Sequence, residues 1–118
     1  MNILFDGAIA RIRGIVGEAY VFTDEKDRER YSQCTIPWRR TCAAVVFPGN
    51  SEEICDIMRV AQEYKVAVWP FSKGKNWGYG TMLAAHDGAI ILILERLNKI
   101  IEVNEELAYA VIEPGVTY

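Results

Sequence analysis

The 118-residue chain has one histidine, His86. It sits in a His-Asp-Gly stretch between two apolar segments, reads as a turn residue, and leaves no Ser/His/Asp constellation to propose. Cysteine is nearly as scarce: Cys34, Cys42 and Cys55 are odd in number and form no Cys-x-x-Cys pair. That argues against a disulfide framework and a zinc cage, and a reducing compartment is the expectation. Basic excess is missing too, since 13 Lys and Arg stand against 16 Asp and Glu for a net charge of −3. Without a positive field to attract a phosphate backbone, nucleic acid is not an expected partner. The longest clean apolar run, residues 89–94 (AIILIL), falls far short of a membrane span. Asp6 interrupts the place where a secretory signal would need an unbroken apolar region. A cytoplasmic chain without a membrane partner is expected.

What is present is the balance of a globular protein, 51% hydrophobic and 25% charged residues. The length suits one domain, residues 1–118, and not two. Apolar residues at Ile3, Phe5, Ile9, Ile12, Ile15 and Val16 recur near helical spacing and predict a helix over residues 2–17, which Gly7 and Gly14 weaken. Residues 23–31 (TDEKDRERY) predict a short surface helix opening on Thr23 as cap. Residues 43–47 (AAVVF) read as a strand, and Asn50 with Glu53 has capping-box spacing ahead of a second helix. That helix is expected to bury Ile54, Ile57, Met58, Ala61 and Tyr64, with Cys55 as a small packing residue. Residues 66–69 form a further strand, with Trp69 in the core. After a glycine-rich stretch come a buried strand at 89–94 and two short strands at 99–103 and 109–112. The acidic cluster Glu102, Glu105 and Glu106 lacks a glycine-turned calcium loop and reads as a solvated turn. The fold class is α/β or α+β.

The glycine-rich stretch is PFSKGKNWGYG, residues 70–80. Successive glycines let backbone N–H groups converge on an anion, and Gly74, Gly78 and Gly80 supply that freedom here. Lys75 adds a cation; Ser72 and Asn76 add side-chain donors. A Walker loop would need a Lys and then Ser or Thr after the last glycine, and a dinucleotide fingerprint would need glycine where Leu83 stands, opening a helix. The loop is neither. Taken alone it fits an anion site or an ordinary structural turn, with Lys75 a plain surface lysine in the second case. Trp77, flanked by glycine on one side, is expected to be exposed against a ligand or a neighbouring chain.

Four segments together resemble the vanillyl-alcohol oxidase and p-cresol methylhydroxylase flavoprotein family: Pro37-Trp38, AAVVFPGNSEEI (43–54), WPFSKGKNWGYG (69–80) and LNKIIEVNEELAYAVIEPGVTY (97–118). Their order and spacing span essentially the whole chain. The resemblance implies the first lobe of a PCMH-type FAD-binding domain, a small mixed sheet flanked by helices. It implies FAD as cofactor, with the pyrophosphate held at Pro70, Ser72, Lys73, Gly74, Lys75, Asn76, Gly78, Tyr79 and Gly80. Pro114, Gly115, Val116 and Thr117 would pass beside the cofactor. Some members of the wider superfamily link flavin to a histidine at the position of Asn76, which asparagine cannot do.

In the complete family enzyme the resemblance implies oxidation of a para-substituted phenol, with electrons passed to oxygen or a cytochrome c. The chain then lacks a second lobe and a cap domain, so by itself it is expected to be catalytically inactive. Two departures from the family pattern motivate an alternative. Ile93 stands where the family usually has aspartate, and Thr81, Met82 and Leu83 follow the loop where the family usually has small residues. The alternative is a truncated, cofactor-free, self-associating module. Either reading leaves apolar side chains near the 89–94 strand and the terminal AYAVIEPGV segment uncovered, and a homo-oligomer is expected to cover them, with exchanged terminal strands as one form.

Overall fold

The computed structural model of the chain describes residues 3–75 and 82–117. The apolar stripe at the start of the chain forms helix α1 (Ile3–Val16), burying Ala8, Ile9, Ile12 and Val16. A 3-10 turn (Glu18–Tyr20) leads into β1 (Val21–Phe22), which the sequence pattern did not announce. Helix α2 (Glu25–Arg30) follows, and its cap is Asp24 rather than Thr23: the Asp24 carboxylate accepts from the Asp27 N–H at 3.0 Å. Then come β2 (Ala44–Val46), α3 (Ser51–Tyr64), β3 (Val68–Phe71), β4 (Ile90–Ile93), β5 (Ile100–Asn104) and β6 (Tyr109–Ile112). β3 begins two residues later than expected and includes Pro70. It is an edge strand, where a residue without an N–H costs no ladder bond.

Four strands make a mixed sheet in the order β1-β2-β4-β3, with β1 antiparallel to β2, and β2, β4 and β3 parallel. A parallel pair needs a crossover, and α3 supplies it from β2 to β3 along one face. Ahead of β4, Ala84 and Ala89 are buried in the cluster on the other face, and Leu83 is buried as well. β4 is therefore covered on both sides. Ile90 and Leu92 pack with Ile9, Ile12 and Ile57 on the helical side, while Ile91 and Ile93 pack with Cys42, Val45 and Phe47 on the other. The expectation that the 89–94 segment leaves apolar surface uncovered is corrected by this double layer. Trp69 is half-buried against the second cluster.

Helix α3 opens as its capping residues predict. Asn50 accepts from the Glu53 N–H at 2.9 Å, and the Glu53 carboxylate reaches back to the Gly49 N–H at 2.7 Å. Its buried positions are Ile57, Val60 and Ala61. Met58 is 48% exposed and Cys55 is exposed, contrary to their expected packing roles. The axis of the stripe runs through Ile57, Val60, Ala61 and Tyr64, at spacings of three and four, and leaves Met58 on the rim. Gly7 costs α1 helix propensity but lets it approach α3, because a Cβ there would stand 2.9 Å from a Tyr64 ring carbon.

β5 and β6 form a separate antiparallel hairpin outside the four-stranded sheet. Both expected strands are present, and Ile100, Val103, Tyr109, Val111 and Ile112 on them are exposed. Among the described residues no helix is long and apolar enough to cross a membrane.

Ile57→Ala should lower unfolding free energy by about 2–5 kcal/mol in urea titrations, and Met58→Ala by under about 0.5 kcal/mol. Equal losses would contradict the orientation of α3. Burial also pushes the Cys42 thiol up from its ordinary range. The unfolded chain then loses that proton first as pH rises. Stability should hold below the ordinary thiol value of about 8.5 and decline above it. Cys42→Ala should flatten that decline.

Candidate cofactor site

Parallel strands aim their C-terminal ends at one edge of a sheet, and ligands of open α/β sheets gather there. Here that edge holds the Pro48-Gly49-Asn50 entry to α3, the loop that begins at Ser72, and the turn at residues 94–97. At the entry to α3 the Glu53 N–H is taken by the Asn50 side chain and the Gly49 N–H by the Glu53 carboxylate, and Glu52 adds a second carboxylate. Arg96 closes the same corner: its Nη1 donates to the Phe47 carbonyl at 2.8 Å and its guanidinium lies 3.6 Å from the Tyr20 ring centroid. A Cβ on Gly49 would fall 2.7 Å from Arg96 Nη2. This arginine was not singled out in the sequence, and its charge serves the fold rather than a free anion.

The loop after β3 differs. Ser72 and Lys75 are exposed, and Lys73 and Gly74 are half-exposed. Gly74 has φ 68°, a left-handed conformation that favours glycine. Pro70 lies inside β3, opposite Leu92, and offers no N–H. Asn76, Gly78, Tyr79 and Gly80, with Trp77 and Thr81, lie outside the described residues.

The 94–97 turn joins this loop to the terminal segment. The Leu94 N–H donates to the carbonyl of Phe71, the residue before Ser72, at 3.0 Å, and the Leu97 N–H to the Leu94 carbonyl at 3.1 Å. Gly115 is buried on that turn, its N–H held by the Leu97 carbonyl at 2.6 Å. A Cβ there would stand 2.5–2.7 Å from the carbonyl oxygens of Leu97, Leu94 and Glu95. The glycine is needed for close approach, and the Ser72 loop and Pro114-Gly115-Val116-Thr117 are anchored on one short turn. The Val116 N–H is also used, donating to the Glu113 carbonyl at 3.1 Å. Pro114 and Thr117 are exposed and Val116 is half-buried.

The side-chain donors of these two segments are the hydroxyls of Ser72 and Thr117 and the ammonium groups of Lys73 and Lys75. Residues 70–75 and 114–117 contain no carboxylate. That donor set fits an anion such as a pyrophosphate. It does not fit a cation, and among the described residues no group of three or more His, Cys, Asp or Glu could hold a metal. His86 is exposed in a bend, and the neighbouring Asp87 accepts from the Thr41 N–H at 2.8 Å, as a turn residue would. Glu102 lies on β5, not in the turn, and accepts from the Tyr109 hydroxyl at 2.7 Å. A cavity of about 620 Å³ lies away from this edge, lined by Cys34, Trp38, Arg39 and Arg40 among others.

A half-parallel sheet ending in a donor-rich glycine loop is the architecture of an α/β lobe built around an anionic cofactor. The chain belongs to the FAD binding domain family, which residues 42–118 match. It is 44% identical over 110 residues to 1'-carboxy-chondrochloren decarboxylase of Chondromyces crocatus, covering 93% of this chain and 20% of the relative. It is 30% identical over 117 residues to the flavoprotein subunit of 4-cresol dehydrogenase (hydroxylating) of Pseudomonas putida, covering 97% and 22%. The solved structure of p-cresol methylhydroxylase with substrate bound superposes with a TM-score of 0.92 at 29% identity, over 99% of this chain and 23% of that one. The chain thus spans about a fifth of the length of the curated relatives it matches. FAD is the cofactor of this family, and the mixed sheet flanked by helices is the lobe of a PCMH-type FAD-binding domain.

Gly115→Ala should destabilise the fold by about 1–3 kcal/mol in chemical denaturation, because three carbonyl oxygens must give way. Gly14→Ala, where a Cβ meets nothing within 4 Å, should be neutral or stabilising. The reverse order would contradict the docking of residue 115 on the 94–97 turn.

Proposed function

We propose that this chain is the lobe that binds the FAD pyrophosphate in a flavin-dependent oxidoreductase acting on a para-substituted phenol. The observation that carries the reading is the joint anchoring of the Ser72 loop and the Pro114–Thr117 segment on one turn, with hydroxyl and ammonium donors facing outward. When bound, FAD supplies hydride acceptance. The chain's own residues bind and orient. Ser72, Lys73 and Lys75 hold phosphate oxygens, Asn76 and Tyr79 extend the same loop, and Gly74, Gly78 and Gly80 let its backbone approach. Pro114, Gly115, Val116 and Thr117 border the cofactor.

The substrate reading is supported by the 4-cresol enzyme among the relatives. The higher identity to a decarboxylase favours a second substrate reading, a compound whose carboxyl group is lost in the reaction. In both, catalysis needs a second lobe and a cap beyond this N-terminal one, and a cytochrome c is the proposed electron acceptor. Asn76 rules out a covalent flavin bond at its own position. The setting is cytoplasmic, and the chain self-associates.

Titrating the purified chain with FAD, followed by flavin fluorescence, tests the loop. Lys75→Ala should weaken binding on the order of ten- to a hundredfold by removing one charge-assisted contact. Gly74→Val should weaken it further, since a β-branched side chain is strained at that φ. Unchanged binding in both variants would place the phosphate elsewhere. A parent chain that shows no saturation would favour the cofactor-free module.

A further inference from the structure

Arg96 belongs to the 94–97 turn, and its side chain crosses the sheet edge to the end of β2. Its Nη1 donates to the Phe47 carbonyl at 2.8 Å, and the Phe47 N–H in turn donates to the Tyr20 carbonyl at 3.0 Å. The Tyr20 ring centroid stands 3.6 Å from Cζ, a stacking distance. Gly49 takes the other face. A Cβ built there would lie 2.7 Å from Nη2, 2.9 Å from Cζ and 3.1 Å from Nη1, and distances so even place it over the guanidinium plane rather than at its rim. The backbone of Gly49 is not left-handed, so it is the arginine that requires glycine there.

This slot suits a flat group. The ion pairs among the described residues are Arg11–Glu63, Arg13–Glu18, Arg40–Asp87 and Arg59–Asp56, and Arg96 is in none of them. It is held by a ring face, a carbonyl and a glycine, which fix an orientation as well as a place. Leu94 and Leu97 also anchor the turn, Leu97 buried and Leu94 packed against the helical-side core. Apolar burial is non-directional and leaves the rotation of a turn free. That rotation matters, because the same turn presents the Leu94 N–H to the Phe71 carbonyl and the carbonyls of Leu94, Glu95 and Leu97 to Gly115.

We propose that Arg96 is a positioning residue of the cofactor site: stacked between Tyr20 and Gly49, it sets the 94–97 turn at the angle that aligns the Ser72 loop with the Pro114–Thr117 segment. The proposal rests on the FAD reading for the ligand, though not for the alignment itself. A guanidinium engaged on both faces and at Nη1 acts through the turn rather than on a phosphate. Lysine cannot replace it, since an ammonium on a flexible stem can reach the Phe47 carbonyl but has no plane to stack.

Two measurements on the purified chain test this, each against Ile57→Val, a core truncation that lowers stability without touching the slot. Arg96→Ala and Arg96→Lys should both weaken FAD binding on the order of tenfold by flavin fluorescence, with an unchanged far-ultraviolet dichroism spectrum, whereas Ile57→Val should bind as the parent does. Without FAD, the nuclear magnetic resonance coupling across the hydrogen bond from the Gly115 N–H to the Leu97 carbonyl should fall in both Arg96 variants and persist in Ile57→Val. Gly49→Ala should lower it too, and adding Arg96→Ala to Gly49→Ala should change little more, because both empty the same slot. Tyr20→Phe, which keeps the ring, should retain the coupling. An unchanged coupling in Arg96→Ala, or an equal loss in Ile57→Val, overturns the proposal. Unchanged FAD binding in an Arg96→Ala chain whose coupling has fallen overturns its role at the site. An Arg96→Lys chain that binds and couples like the parent overturns the stacked clamp in favour of charge alone. A parent chain that fails to saturate with FAD counts against the cofactor reading, and the coupling then decides the clamp by itself.

Discussion

The fold depends on one strand. β4 pairs with β2 on one side and β3 on the other, and its four side chains are buried in two opposite layers. Each layer would be half a core without it. Ile90 and Leu92 receive the helices; Ile91 and Ile93 pack with Cys42, Val45 and Phe47 on the opposite face. The constraint is geometric as much as hydrophobic, because a one-residue slip in β4 would exchange its two faces and misplace every packed neighbour.

That constraint reaches the candidate site through the backbone. Leu94, the first residue after β4, donates to the carbonyl that ends β3, and the turn it begins carries Gly115. The loop of hydroxyl and ammonium groups and the terminal segment are therefore set by the register of the sheet rather than by contacts of their own side chains. The other feature at this edge, the start of α3, is capped by Asn50 and Glu53, with Arg96 bonded to the Phe47 carbonyl beside it. The edge thus divides into a corner that carries Glu52, Glu53 and Arg96 and a second one that carries Ser72, Lys73 and Lys75 with no carboxylate between residues 70 and 75.

Ile93 takes on a clear meaning in this frame. It is 1% exposed within the second layer. An aspartate there would need a partner, since a buried carboxylate without one is costly. The apolar choice is consistent with a dry layer formed with Val45 and Phe47. The hairpin has the opposite character, with Ile100, Ile101, Val103, Val111 and Ile112 all exposed. Interior and exterior are thus assigned by packing, and two stretches of similar composition, IILI and YAVI, end on different sides of that division.

Much of the fold was legible in the sequence because it rests on local physics. The period of α1, the Asn50–Glu53 cap, the unbroken apolar run of β4 and the two hairpin strands each follow from residues a few positions apart. The left-handed backbone at Gly74 is of the same local kind, since a glycine carries that freedom with it. The tertiary structure decided what depends on distant neighbours. It set β1 as the antiparallel partner of β2, placed Val60 rather than Met58 inside, exposed Cys55, and turned Arg96 into a clamp on Tyr20 and Phe47. It also gave Gly115 its reason, three carbonyl oxygens from a turn about twenty residues earlier. Local patterns fix which conformations a segment prefers, but only assembly of the two layers around β4 fixes which side chains and backbone groups meet.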